Sequence, residues 1–536
     1  MRNKFYTLAA LLITTLAIQA QTPAMVKDIN SGSGGSNTTS LVDVNGTLFF
    51  RASDGTNGNE LWKSNGTDAG TVMVKNINPT TNGSASGQYT NVNGTLFFHA
   101  NDGANGKELW KSDGTDAGTV MVKNITAGSA DTDLDFFVNV NGILIFTVND
   151  NTNGTELWRS DGTDAGTYLL KDINPGNNDG IRWSLRTDFV ALNGILYFAA
   201  EDPTNGNELW KTDGTTAGTV LIKDIAPSNN GSDPEFFVVS NNTVYFYAQD
   251  VNGKGIWKTD GTDAGTVSVS TLSSGLYVPA KLVDANGTIF FTVNDPFTNG
   301  VELWKCDGTS AGTAMVKDIN PGMAHSNPAE LTNVGGILFF TADDGTNGNE
   351  IWKSDGTDAG TVMVKDLGAL YSDFTNANGM LYFVATVSGT GTELWKSDGT
   401  EGGTTIVADI FSGFQSSLPA SLTVSGSNLF FVADNGTNGK ELWSLSGLPS
   451  AIQEGKQVMR FSVYPNPASN NLEFRIQNSE LNAQAPVQIF DLTGKIIREE
   501  KLFSNRVDVS ELANGFYVLS LSVNGKAQQQ KFIVQH

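Results

Sequence analysis

The sequence predicts an all-β chain, and three observations carry that reading. A motif best seen at 350–366, EIWKSDGTDAGTVMVKD, recurs along most of the 536 residues. Its tryptophan serves as a ruler: Trp62, Trp110, Trp158, Trp210, Trp257, Trp304, Trp352, Trp395 and Trp443 stand at steps of 48, 48, 52, 47, 47, 48, 43 and 48 residues. Each unit divides into four short strand candidates separated by turn signals. The middle strands, such as Leu96-Phe97-Phe98 and Ile289-Phe290-Phe291, are apolar on both faces, so each sheet needs a neighbour on either side. Four antiparallel strands per period, stacked in this way, describe a β-propeller blade.

In one unit the strands fall at 329–334, 337–342, 350–353 and 361–366. Asn-Gly pairs such as Asn45-Gly46, Asn93-Gly94 and Asn286-Gly287 tolerate the positive φ of a two-residue hairpin between the first two strands. Asp113-Gly114 and Asp161-Gly162 do the same between the third and fourth. The ends of the array predict its closure. Residues 24–30, AMVKDIN, repeat 314–320 letter for letter and read as a fourth strand without partners. The last copy, Glu441-Leu442-Trp443, runs into SLSG and lacks a fourth strand. Pairing the two closes a ring of about nine blades and hides both edges. The unit around Trp395, with its short loop, is where that count turns, and an open superhelix is the alternative architecture.

Charge and cysteine usage narrow the function classes. The formal net charge is −23, and loss of Arg2 and Lys4 with a leader takes it to −25. Residues 459–536 hold eight Lys/Arg against seven Asp/Glu, so the acidity belongs to the repeats. Such a field repels nucleic acid and anionic lipid and keeps an exported protein soluble. The one cysteine, Cys306, occupies a Ser/Thr position of the repeat and allows no intramolecular disulfide. Residues 1–20 read as a signal peptide: Arg2 and Lys4, an apolar run from Leu8 to Ile18, then Ala20 before Gln21. That run is short for a membrane span, and no later stretch approaches ~18 apolar residues.

The copies of ELWKSDGT resemble the ELWxxDGT repeat family of exported bacterial proteins across residues 24–447, with departures at Trp257 (GKGIWKTDGT) and Trp443 (ELWSLSG). The domain plan is therefore 1–20 signal peptide, 21–447 propeller, 448–458 linker, and 459–536 a small C-terminal β-sandwich. Its strands are expected at 461–464, 472–476, 487–490, 495–498, 515–523 and 529–534. YPNPASNNL (464–472), FDLTGK (490–495), LANGFYVLSL (512–521) and KFIVQ (531–535) resemble the C-terminal sorting domain of the type IX secretion system of Bacteroidetes-type bacteria. That resemblance implies recognition by the secretion machinery, removal of the tag, and an extracellular or outer-membrane-surface location.

Chemistry has few places to sit. Three histidines (His99, His325, His536) lie in unrelated contexts, and there is no P-loop, dinucleotide fingerprint or CxxC pair. Glu60, Glu108, Glu156, Glu208, Glu302, Glu350, Glu393 and Glu441 precede the Leu/Ile-Trp pair (Ile in the Glu350 copy), and a residue needed eight times is structural. It bonds backbone or pairs with the Lys after Trp (Lys63, Lys111, Lys353). The tryptophans read as inter-blade core rather than as a sugar platform. No cofactor is expected. Ca²⁺ enters as a candidate for the Asp/Asn/Gly loops 101–108 and 343–350, which differ from an EF-hand in spacing.

Function is expected in what is not repeated. The loops joining second to third strands, and fourth strands to the next blade, share one face of a propeller. The longest of them, 174–189 (NPGNNDGIRWSLRTDF), adds Arg182, Trp183 and Arg186: the tryptophan outside the ruler and two cations in an acidic array. Arg and Trp are common binding anchors, although such an insertion also serves simply to pack on its neighbour. Tyr277, Phe297, His325, Phe411 and Phe414 are further single-copy features of this face. The expected function is non-catalytic binding of a glycan or a surface protein, or adhesion. The alternative is a propeller-type polysaccharide hydrolase or lyase using Asp179, Asp188 or Glu330.

Overall fold

The computed structural model describes residues 22–448 and 461–535, apart from 82, 85, 183–188, 228–230, 273–274, 279–280, 465–467, 477–485, 491–494, 502–505 and 524–525. The chain divides into two compact units between Ser450 and Ala451.

Nine four-stranded antiparallel sheets make up the first unit. Eight take their strands consecutively, as in blade 2: Gly87–Val92, Thr95–Asn101, Lys107–Ser112 and Val120–Lys123. Blade 9 takes Ala420–Ser425, Asn428–Asp434 and Lys440–Leu445 from the end of the array and borrows Ala24–Lys27 from its start. Met25 lies opposite Trp443 in that pairing. The first strands of blades 9 and 1 are neighbours, so the ring closes on itself at nine blades and no open superhelix forms. The unit around Trp395 is a complete blade: Leu370–Ala377, Met380–Val387, Gly391–Ser397 and Thr405–Ala408.

The core lies between blades. Val44, Phe49, Leu61 and Val74 of blade 1 interlock with Leu96, Phe98 and Trp110 of blade 2, and the same set recurs around the ring. Within each sheet the ruler tryptophan stands opposite a second-strand phenylalanine, as Trp110 does to Phe98. Each such side chain contributes roughly 1.5–3 kcal/mol by leaving water. Every first strand whose register is described to its start carries a bulge with a left-handed, non-glycine residue, among them Ser40, Gln88, Phe136, Glu330 and Asp373. That conformation costs about 1–2 kcal/mol per residue, and it bends the innermost strand.

Polar rivets cross the seams on the side of the third-to-fourth-strand turns. Lys63 Nζ donates to the Gly114 carbonyl of the next blade at 2.8 Å, and Lys111, Lys211, Lys258, Lys305 and Lys353 repeat the contact. Fourth-strand lysines pair with turn aspartates one blade on, as Lys75 does with Asp116 at 3.0 Å. The lysine after Trp therefore serves the neighbouring blade and leaves the buried glutamate to other partners. Cys306 is buried and accepts the Gly308 N–H through Sγ at 3.2 Å, the position of the Ser/Thr hydroxyl in other copies.

The second unit is a two-sheet sandwich. One sheet orders Phe461–Tyr464, Asn471–Ile476 and Arg506–Asp508; the other orders Ile496–Lys501, Pro486–Phe490, Gly515–Val523 and Lys526–Val534. Ala468, Leu472, Val487, Ile489, Val507, Leu519 and Phe532 fill its core. The short strand at 506–508 is additional to the six that the sequence predicts.

Candidate binding face

The crossovers from one blade to the next are held by the repeated glutamates. Glu60 Oε2 and Oε1 accept the N–H groups of Ile77 (3.1 Å) and Asn78 (3.0 Å). Glu208, Glu302 and Glu441 do the same for residues 225–226, 319–320 and 29–30. A hydroxyl 24 residues on completes the cradle: Thr132 for Glu108, Ser232 for Glu208, Ser326 for Glu302 and Ser417 for Glu393. Burial pushes these carboxyls up, Glu302 to about 7, while the donors pull the other way. Their oxygens are taken up by the backbone and hydroxyl donors of the crossovers, which they pin.

On this pinned frame, one face of the ring collects the exposed apolar side chains. Val251 and Phe297 sit in second-to-third-strand loops. Tyr277, Met323, Phe414 and Leu418 lie on crossovers, and Leu370 opens a first strand. Phe414 is 88% exposed, Met323 68%, Phe297 65% and Tyr277 46%. The other exposed large apolar residues described in the ring, Val72, Val120, Tyr168, Val267 and Val362, lie on fourth strands. The opposite face presents Asn-Gly and Asp-Gly-Thr turns.

Blade 6 and the crossover leading into it supply two of these side chains, Phe297 and Tyr277. The blade 6 loop after Asp295 reads Pro-Phe-Thr-Asn where blades 1, 7 and 9 read Gly-Thr-Asn and blade 4 reads Pro-Thr-Asn, so Phe297 occupies an extra position. Asp295 Oδ1 accepts the Phe297 N–H at 3.0 Å and fixes the loop. Gly275 passes so close beneath the ring that a Cβ there would lie 2.6 Å from it. Tyr277 Oη accepts the Asn294 side-chain N–H at 2.9 Å. Two aromatic rings thus stand exposed, locked by Asn and Asp, with Met323 on the next crossover. Phe411 instead folds over Gly436.

The remaining expected residues divide. Arg182 is ion-paired with Glu201 and, at 3.9 Å, with Asp233 of the next blade. Trp183, Arg186 and Asp188 lie outside the described residues. His325 Nδ1 accepts the Val301 N–H at 2.9 Å, so it caps a strand. Asp179 Oδ1 plays the same part for Thr155 at 2.7 Å. Glu330 is exposed in the left-handed bulge of blade 7. In the loops weighed for Ca²⁺, Asp102 Oδ1 accepts the N–H groups of Ala104 and Asn105, and Asp344 does so for Thr346 and Asn347. Those oxygens serve their own turns, and no group of three or more His, Cys, Asp or Glu side chains converges on a cation site among the described residues.

Fold and face together define a closed propeller with one variable surface, joined to a small sandwich. Residues 462–535 match the family model described as the secretion system C-terminal sorting domain. The chain therefore carries a type IX sorting signal and is exported to the cell surface or the extracellular space. No helix among the described residues is long and apolar enough to cross a membrane. Ulvan lyase NLR42 of Nonlabens ulvanivorans is 29% identical over 96 residues, 17% of either chain. Among solved structures, PorZ, a surface component of the type IX system of Porphyromonas gingivalis, is 13% identical, covering 94% of this chain and 82% of its own at a TM-score of 0.32. The β-propeller domain of the Trilobed protease from Pyrococcus furiosus is 10% identical, covering 59% and 96%, with a TM-score of 0.33. The propeller assignment itself rests on the nine sheets.

Proposed function

We propose that this protein is a secreted or surface-held member of the ELWxxDGT repeat family that binds a glycan, without cleaving it, through the loop face of its propeller. The observation that carries the reading is the pair of exposed, locked aromatic rings of blade 6, Tyr277 and Phe297, on the one face where the repeat varies. Aromatic faces with neighbouring amides and hydroxyls match the C–H faces and hydroxyl edges of a sugar. The 174–189 crossover is the second candidate anchor, through Arg182 on this face and through Trp183 and Arg186, which lie outside the described residues.

The test is retention of the mature full-length chain on a polysaccharide panel, with released chain ends measured in parallel and with Ca²⁺ or chelator. Retention without new ends, lost in Phe297→Ala and indifferent to chelator, is expected. New ends would move the protein to the hydrolase or lyase reading, towards which the short likeness to an ulvan lyase points. A partner protein is the reading left if no polysaccharide is retained.

A further inference from the structure

One crossover departs from the pinning scheme. The residue 24 positions after the repeated glutamate is Ser84, Thr132, Ser232, Ser326 or Ser417 in five other blades, and in blade 7, where it is Phe374, the Tyr371 hydroxyl donates to Glu350 in its stead; in blade 3 it is Gly180. Glu156 is 0% exposed, and Oε1 accepts the Asn174 N–H at 3.0 Å. With no hydroxyl opposite, its Oε2 is buried without a hydrogen-bond partner. The neighbouring acid, Asp172, also holds a buried oxygen, Oδ1, without one. Two neighbouring carboxyl groups, the buried Glu156 and the half-buried Asp172, each with one bare oxygen, repel when both are charged, and protonating Glu156 removes that repulsion.

The same glutamate stands under the longest crossover. Asn174 hangs on its Oε1, and the Asn174 side chain donates to the Asp179 carbonyl at 3.2 Å. Gly180 and Ile181 donate to the Thr155 carbonyl, one residue from Glu156, at 3.1 and 2.9 Å. From this geometry we infer that Glu156 is a protonation switch for the blade 3 crossover: neutral, it clamps residues 174–182 onto the third strand; charged beside Asp172, it loosens them.

Burial first, then the Asp172 charge, raises the Glu156 carboxyl to about 8, against the pull of the Asn174 N–H on Oε1. Asp172 is the charged group facing it. Arg182, the cation nearest in sequence on this crossover, is engaged by Glu201 and Asp233. The sign follows from linkage. In the opened crossover Glu156 meets water and titrates near its ordinary value of 4.5. Between there and about 8 the clamped state holds the extra proton, so clamping weakens as pH rises, by up to about tenfold per pH unit, and levels off above.

Hydrogen exchange of the full-length protein, read on peptides covering 174–182 and corrected for intrinsic pH dependence, tests this without any ligand. In the wild type, protection there is expected to fall as pH rises from 6 to 8, more steeply than in the blade 2 crossover 124–132, where Thr132 supplies the hydroxyl. Glu156→Gln, neutral at every pH, should make the profile flat. Gly180→Ser puts a Cβ 2.4 Å from the present position of Glu156 Oε1, so the carboxyl must swing aside to accept the new hydroxyl; the fall should then move to lower pH. A 174–182 profile in Glu156→Gln that matches wild type overturns the switch. If that variant does not fold, an unshifted profile in Gly180→Ser overturns it equally.

Discussion

The two faces of the ring are made of the same nine blades and behave oppositely. On the turn face each seam repeats its neighbour: Lys63 reaches Gly114, Lys111 reaches Gly162, and Lys75 pairs with Asp116. On the loop face the blades share their glutamate pins and most share the Asx turn seen at Asp102 and Asp344, but the exposed side chains differ, as the aromatic pair Tyr277 and Phe297 shows. A group that must join every blade to the next is copied in every blade. One that meets a partner once is free to differ. Repetition here marks structure, and departure from it marks the surface available for recognition.

Substitutions can break that contrast in order of size. Trp110→Ala removes the inter-blade filler between blades 1 and 2 and should cost about 3–5 kcal/mol, seen in denaturant unfolding; a cost below about 1 kcal/mol would remove the tryptophans from the core. Glu108→Ala strands the N–H groups of Ile125 and Thr126 and the Thr132 hydroxyl, at about 2–3 kcal/mol. Phe297→Ala should lower polysaccharide affinity about tenfold, as for loss of a binding anchor, while leaving the melting temperature in place. Equal loss of both would show that the loop face, too, is scaffold. Asp116→Asn, breaking an ion pair whose acid is 78% exposed, should change stability by about 0.5 kcal/mol or less.

A pH series sharpens the same contrast. The pins have raised carboxyls, Glu302 to about 7, chiefly through burial. The folded protein holds their protons over the window from 4.5 upwards, so their contribution is fully present below 4.5 and is lost as pH rises towards 7. The Asx-turn and turn-face aspartates, such as Asp355, are lowered by the Thr357 hydroxyl and N–H. Their contribution is present above their ordinary 3.8 and is lost as acid is added. Opposite slopes on the two sides of about pH 4 are expected in wild type. Glu302→Gln should make only the upper one shallower, since the other pins still titrate.

Much of this was legible in the letters. The tryptophan ruler gave the blade count, and AMVKDIN without partners, facing ELWSLSG without a fourth strand, gave the closure that Met25 and Trp443 make. Eightfold recurrence marks the glutamate as structural, but the sequence offers it both backbone and lysine as partners. The backbone partners lie 17 and 18 residues on, whereas the lysine serves a glycine about 50 residues away in another blade. His325 and Asp179 looked like single-copy chemistry, yet each caps a strand through one ring nitrogen or carboxylate oxygen. The Gly180 departure was readable by aligning position 24 after each glutamate. What made it matter, a buried oxygen left bare beside Asp172, was not.

Sequence by itself determined the period, the turns, the closing strand and the address, because each depends on local pattern: φ-tolerant Asn-Gly and Asp-Gly, two-faced apolar strands, and a contiguous sorting domain. The tertiary structure alone decided which carboxylates are consumed by the fold and which aromatics stay in water. Those outcomes depend on what the neighbouring blade brings to the seam, and a residue's own surroundings in the chain do not state it.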